Sequence, residues 1–461
     1  MASAEHNEHE TYRVIVLDPT GAQVLLAPNR PRHVLPRIDI PRWQRVAENL
    51  TIRFEREWGE EVVVLFELPA TNEGPRNVAA EHLCTRLDSN VPRCWVPVSA
   101  LSKDSLVEGC DYAAIEHVVG ICERKMAAKP AGPFSRLGWF CDLRNWMNSV
   151  IEPMGFHLTG RFRQLNASPT FSLVRFETDG PGVWFKAVGE PNLREFAITH
   201  MLAQLCPDYL PPILATCPEW NAWLSREPQG ELLSEVPEQP RWERTAAALA
   251  KLQIESIDRC SAVLGAGARD LGSRSLSKLI QPVLSVAAQL MERQPEVPPP
   301  VLGRNDLLTL ADSLQSALDR AKSTGVPETI GHLDLNPGNI LVAENRCAFL
   351  DWAEAYVGNP LFSLEYLLEH AKRTFGTDSA VPAKLTEVYC RQWDGVISSA
   401  AMKQALALAP LLAVFAYAVG SRTWNATEKI EESSSAGYLR SLVRRMHRES
   451  IELTQHRVPV S

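Results

Sequence analysis

The chain has 461 residues, 45% of them hydrophobic and 22% charged, and a formal net charge of −8. That composition is globular rather than disordered, and its acidic balance speaks against nucleic acid as the main partner and for a neutral or cationic one. The ten cysteines form no Cys-x-x-Cys pair, which in a chain of this length reads as reduced thiols rather than a disulfide framework.

The first ten residues are polar and acidic and do not read as a signal peptide. Residues 11–17 alternate and are rich in β formers, Asp18 to Gly21 is a turn, and 22–26 is a second strand. A helix is predicted over 43–58, ending near Gly59, followed by strands at 62–68 and 93–98 and an acidic helix at 112–122. Residues 124–133 are short of apolar anchors and hold Pro130 and Pro133, the composition of a linker, which is expected over 124–136. A helix over 137–151 carries Trp139, Phe140, Leu143, Trp146, Met147 and Val150 at helical spacing, a face made for packing on the sheet that follows.

That sheet is predicted from three runs, 161–165, 170–177 and 183–188. Asn166, Ala167, Ser168 and Pro169 separate the first two, and a Gly/Pro-rich turn separates the second pair. The third run carries Lys186, and Glu195 lies nine residues on in a helix predicted over 192–202. Residues 222–230 read as a strand and a connecting segment. The remainder is mostly helical: 242–252, 276–291, and a helix capped by Asn305 and Asp306 whose Leu307, Leu310, Ala311, Leu314, Ala317 and Leu318 form one face. The most apolar run, 405–420, is sixteen residues broken by Pro410; a spanning helix needs about twenty, so a buried helix pair is expected and no membrane segment.

The stretch with the most chemistry is Gly331, His332, Leu333, Asp334, Leu335, Asn336, Pro337, Gly338, Asn339, followed by two short apolar runs and then Asp351-Trp352. Pro337-Gly338 makes a turn. If the runs pair as a hairpin centred near Asn345, Ile340 opposes Leu350 and Asn339 opposes Asp351, and opposed residues lie about 5 Å apart. One carboxylate and one amide oxygen then meet at the open end of the hairpin, an oxygen-only set suited to Mg2+. Asp334 remains free to orient and deprotonate a hydroxyl.

These words, His-x-Asp-Leu-x-Pro-Gly-Asn-Ile-Leu-Val and then Leu-Asp-Trp-Ala, resemble the aminoglycoside phosphotransferase and choline kinase families over residues 137–461. The resemblance implies a bilobal protein-kinase-like fold, with a small antiparallel-sheet lobe at 137–228 and a large, mainly helical lobe at 229–461. It further implies ATP or GTP and Mg2+ as cofactors, and a small-molecule hydroxyl as γ-phosphoryl acceptor. On that carry-over Asp334 is catalytic, Asn339 and Asp351 hold the metal, Lys186 braced by Glu195 grips the nucleotide phosphates, and the Ser168 hydroxyl adds a phosphate contact from a loop without glycine. The segment 222–230 would present its backbone to the adenine, and His332 would stabilise the loop rather than act as base. Ser363 stands where the family has a second Asp that braces the catalytic loop, a departure that weakens the expectation of full activity. The acceptor is left open; for an aminoglycoside, Glu354, Glu365 and Glu369 offer the acidic groups, or they are ordinary exposed helix carboxylates.

The order of elements in 1–123 resembles a Nudix domain, an α/β/α fold whose box ends Arg-Glu-apolar-x-Glu-Glu-x-Gly. The matching residues run from Ile52 to Gly59; Ile52, Arg53 and Arg56 replace the Arg and two Glu, and Glu57 and Gly59 survive. Two guanidinium groups where carboxylates should hold a cation repel it, so the resemblance implies the fold without the hydrolysis. The expected class is α+β throughout, cytoplasmic, with no nucleic-acid or membrane partner. The alternative is a non-catalytic ligand-binding or scaffold protein built from two degenerate enzyme domains.

Overall fold

The structure is a computed structural model that describes residues 9–69, 76–85, 91–123, 133–294, 299–421, 423–425 and 433–455. The fold is α+β, and the chain divides into two compact units: 1–196 with 213–227, and 197–212 with 228–461. Most of the expected linker, 124–132, lies outside the described residues.

The first unit opens on a mixed sheet in which Arg32–Val34, Gln23–Asn29, His9–Leu17, Arg76–Thr85 and Glu60–Glu67 lie side by side. Arg37–Pro41 also pairs with the His9–Leu17 strand, and Cys94–Pro97 with Gln23–Asn29. The His9–Leu17 and Arg76–Thr85 strands run parallel. Side chains alternate across a strand, so the sheet serves two cores. On one face Val14, Val16, Val62, Val64 and Val78 meet Ala47, Leu50, Phe54 and Trp58 of helix Val46–Trp58, which Gly59 ends with φ 69°. That helix starts three residues later than its sequence predicts, after a fully exposed Trp43 at positive φ.

On the other face Ile15, Leu17, Val63 and Ala79 join helices Gly109–Glu123 and Trp139–Ile151. The same core takes in the second sheet, an antiparallel set ordered Ile213–Cys217, Ala222–Arg226, Val183–Ala187, Ser172–Thr178, Leu158–Ala167. The aromatic face predicted for 137–151 does pack there: Phe140 lies 4.6 Å from Phe162 and 5.6 Å from Phe176, centroid to centroid. Gln164 stitches the two sheets. Its side-chain amide accepts from the Val64 N–H and donates to the Val64 carbonyl, both at 2.8 Å, beside a bulge in the first sheet. A buried backbone pair that the sheet leaves unmatched is thereby satisfied.

Glu81 sits in this shared interior, 2% exposed, and the Gly138 N–H donates to both its oxygens at 3.0 Å. Burial pushes its carboxyl up to about 7, with Asp142 pushing the same way and the Gly138 N–H and Arg136 opposing. A folded-state value above the ordinary 4.5 means the folded form holds the proton longer than the unfolded form. Stability is therefore greatest below about 4.5 and is lost as pH rises towards 7, by on the order of 3 kcal/mol. Glu81→Gln removes the ionisation and keeps an acceptor for Gly138. Denaturation midpoints between pH 5 and 8 should fall for the parent chain and fall less steeply for the variant; parallel profiles contradict the assignment.

The second unit is mainly helical. One core gathers helices Gln239–Glu255, Leu361–Phe375 and Val381–Gln392 around the strands that carry the central motif. The other gathers Ser273–Glu292, Arg304–Ser323, Ser399–Gly420 and Ser433–Gln455. All six residues predicted for one face of the Arg304–Ser323 helix are buried. Its cap is Gly303, with the Asp306 carboxylate accepting from the Gly303 N–H at 2.8 Å, not Asn305 as expected. The expected helix pair over 405–420 is one continuous helix with Pro410 inside it. That helix is long and apolar enough to cross a membrane by length and composition, yet its apolar residues pack in the second core, as a core helix does.

Candidate active site

The hairpin forms, but in a register one residue from the expected one. Ile340 pairs with Phe349, Leu341 with Ala348 and Val342 with Cys347. The turn at 343–346 is closed by the Ala343 N–H to the Arg346 carbonyl at 2.8 Å, and an even-numbered turn centres the hairpin between Glu344 and Asn345. Asn339 therefore opposes Leu350, whose N–H donates to the Asn339 carbonyl at 2.8 Å. Asp351 lies one step past this rung, exposed, in a left-handed conformation with φ 62°. A non-glycine residue held there costs on the order of 1 kcal/mol. What holds it is Trp352, buried, with its indole N–H on the Phe349 carbonyl at 3.0 Å and its ring 5.0 Å from His332. Arg269 adds a brace, donating to the Ala353 carbonyl at 3.0 Å and pairing with Glu354 at 2.5 Å.

Asp334 is the centre of the loop. Asn336 Nδ2 donates to its Oδ1 at 3.0 Å and Asn339 Nδ2 to its Oδ2 at 3.1 Å, while the Tyr366 hydroxyl reaches Oδ1 at 3.4 Å. Asn339 Nδ2 also donates to the Asp334 carbonyl at 3.0 Å. These contacts fix the roles open to each group. The Asn339 amide nitrogen is committed to Asp334, which leaves Oδ1 as its remaining ligand atom. Both Asp334 oxygens already accept from fixed amides, a carboxylate oriented for a proton rather than spread around a cation. An amide oxygen and an exposed carboxylate are hard-oxygen ligands, a chemistry that fits Mg2+.

His332 is fully buried and supports the loop from below. Its Nδ1 accepts from the Asp334 N–H at 3.0 Å, so Nε2 carries the proton and donates to the Leu350 carbonyl at 2.9 Å. Burial holds its pKa below the ordinary value, and with both nitrogens engaged it is no base. Ser363 keeps a bracing contact of its own: its hydroxyl oxygen accepts from the His332 N–H at 2.9 Å and shares a 3.0 Å hydrogen bond with the buried Tyr356 hydroxyl. Gly331 is required beneath that tyrosine, since a Cβ there would lie 2.0 Å from the ring.

In the first unit, Lys186 and Glu195 do meet, with Nζ 2.5 Å from Oε1; Glu195 is 2% exposed and Trp223 lies beneath the ammonium at 5.8 Å. Strand Leu158–Ala167 includes Asn166 and Ala167, so the loop is 168–171 and not 166–169. Ser168 Oγ closes it by accepting from the Phe171 N–H at 2.9 Å, and the Pro169 carbonyl accepts from the Phe134 N–H.

Asn336, Tyr366, Tyr356 and Arg269 were not singled out by the sequence. Asn336 was readable as a side chain inside the motif; the other three are brought in by the fold from 22 to 65 residues away.

Residues 193–401 match the family model described as the phosphotransferase enzyme family. No curated protein matches the chain. Solved structures similar to it include the macrolide 2′-phosphotransferase MphH from Brachybacterium faecium, at 16% identity and TM-score 0.41 over 65% of this chain and 97% of that one. The choline kinase from Cryptosporidium parvum Iowa II shares 11% identity, with TM-score 0.46 over 68% of this chain and 96% of that one. The GDP and kanamycin complex of APH(2″)-IIia shares 15%, with TM-score 0.39 over 65% and 98%. The stretch similar to the phosphotransferase enzyme family, residues 193–401, holds Glu195, Asp334, Asn339 and Asp351.

Proposed function

We propose that the chain is an ATP- or GTP-dependent small-molecule phosphotransferase of kinase-like fold. The observation that carries the reading is the loop itself: Asp334 is clamped by Asn336 and Asn339, with Asp351 held one step beyond the paired hairpin. A bound Mg2+ would neutralise charge on the transferring phosphoryl group, held by Asn339 and Asp351. Asp334 orients the acceptor hydroxyl and takes its proton. Lys186, fixed by the buried Glu195, holds nucleotide phosphate oxygens, and the Ser168 turn supplies a hydroxyl near the end of its strand pair. The test is ATP turnover by the full chain over an acceptor library, with Mg2+-dependent thermal stabilisation by nucleotide as the binding control. Absence of any Mg2+-dependent nucleotide effect contradicts the reading and favours a non-catalytic binding protein.

We further propose that the N-terminal sheet and its helices, Nudix-like in element order, do not hydrolyse nucleoside diphosphate derivatives. Such chemistry needs several carboxylates converging on a metal. Glu55 and Glu57, two apart on a helix, point about 200° apart. Glu48 is paired with Arg163, and Glu57 with Arg56. Glu108, Cys110 and Asp111 do cluster, but the Arg13 guanidinium occupies the centre, 2.8 Å from each carboxylate and 3.2 Å from the thiol. The full chain, supplied with nucleotide sugars, dinucleoside polyphosphates and nucleoside triphosphates, should release no product of metal-dependent pyrophosphate cleavage. Turnover lost on Glu57→Gln would show that the carboxylates do converge on an ion.

A further inference from the structure

Beside Asp334, within the second unit, lies a cavity of about 170 Å³. Its walls come from helices Leu361–Phe375, Ser399–Gly420 and Ser433–Gln455, and Tyr366, whose hydroxyl touches Asp334, forms part of the wall. A cavity of about 150 Å³ takes up a benzene-sized group, whereas whole-ligand pockets run from about 300 Å³ upwards. That volume is the size of one ring.

The charges in that wall are not those of a cation site. Glu369 is already paired with Lys372 at 2.7 Å and Arg445 at 3.1 Å. Glu354, the third carboxylate expected to serve a polycation, is taken by Arg269. Glu365 has no ion pair among the described residues, and burial pushes its carboxyl up to about 7, with Glu369 and Glu449 adding to the rise. Burial likewise lowers His370 below its ordinary value. The aromatic faces are turned on each other rather than on an open box: Tyr366 stacks on Tyr417 at 5.9 Å and 27°, and Tyr438 meets Tyr417 edge-on at 6.4 Å. Arg373 is exposed and has no hydrogen bond or ion pair among the described residues.

We propose that the acceptor bound here is a small hydroxyl compound with one ring-sized body and an anionic group, carboxylate or phosphate, that pairs with Arg373. The proposal rests on the phosphotransferase reading for the hydroxyl, and on the cavity and its charges for the rest. An unpaired guanidinium attracts an anion and presents a fork that matches carboxylate and phosphate geometry. A multiply charged amine would meet a Glu369 already paired and a Glu365 held partly protonated by burial, at the cost of stripping water from each ammonium.

The test uses the full chain with Mg2+ and ATP and a one-ring series of matched shape. The series is 4-(hydroxymethyl)benzoate, 4-(hydroxymethyl)phenyl phosphate, 4-(hydroxymethyl)benzamide and 4-(hydroxymethyl)benzylamine, with kanamycin and choline alongside. Binding is read by calorimetry and transfer by ADP release. The anionic members should bind at least about tenfold tighter than the amine, the scale of one charge contact, and the first two arms separate carboxylate from phosphate. Arg373→Gln, at an exposed position, should erase that preference while leaving benzamide binding and the nucleotide effect unchanged. A flat series, or a preference for the amine, kanamycin or choline, overturns the proposal. Loss of the Mg2+-nucleotide effect in the parent chain overturns the phosphotransferase reading instead, and the calorimetric order still decides the pocket.

Discussion

Replacing Asp334 by Asn should lower phosphotransfer to any accepted hydroxyl by at least about 10²-fold, the scale of a lost general base. The substitution keeps the shape and removes the proton acceptor. It also places a new amide NH2 among two others, because Asn336 and Asn339 both aim Nδ2 at this side chain. One of those contacts becomes donor against donor, so the loop loses part of its clamp as well as the proposed base. No neighbour can stand in. His332 is buried with both ring nitrogens engaged, and burial with the nearby Asp334 charge pushes the Tyr366 hydroxyl up to about 12. Nucleotide binding should survive, since Lys186 and Glu195 are untouched. The measurement is steady-state turnover together with Mg2+-nucleotide thermal shift on the same preparation. Near-parental turnover by Asp334→Asn removes Asp334 from the proton-transfer role.

The motif was legible because its chemistry is local. Pro337-Gly338 and the polar run after Val342 punctuate two short apolar strands, and Asp334, Asn336 and Asn339 lie within six residues of one another. The register was not legible to better than one residue. A shift of one changes which residue meets Asn339, and only the hydrogen bond closing the turn at 343–346 decides it. Arg76–Thr85 was missed for a different reason. Its Ala79, Ala80 and Glu81 are poor strand formers, yet it lies between two other strands with Val78, Ala79 and Ala80 wholly buried, so tertiary packing overrode propensity. The Pro-rich stretch after residue 123 read as a linker, but composition carries no information on what its flanks touch. Phe134 and Trp139 share one core with Ile15 and Leu17. The acidic residues set aside for a cationic acceptor show the same limit: Glu354 and Glu369 are carboxylates in the sequence and halves of ion pairs in the fold.

Asp351→Ala and Asn339→Ala should separate metal binding from base positioning. Asp351→Ala deletes a full charge from the proposed Mg2+ set, and should abolish the Mg2+-dependent part of nucleotide stabilisation, which reads binding to the folded state directly. It leaves the Asp334 clamp alone, because Asn336, Asn339 and Tyr366 remain in place. Asn339→Ala removes only a neutral oxygen from the proposed metal set, so part of the Mg2+ effect should persist. It also removes both hydrogen bonds that the Asn339 amide makes to Asp334, one to the carbonyl and one to Oδ2. Freed by about 1 Å, a reacting group loses on the order of 10²-fold in rate. The two variants should therefore fail in opposite ways. Asp351→Ala loses the Mg2+-dependent thermal shift outright, while Asn339→Ala keeps a measurable shift and still turns over at least about 10²-fold more slowly. Equal loss of the shift in both would place Asn339 on a par with Asp351 as a ligand. An intact shift in Asp351→Ala would move the metal away from the end of the hairpin.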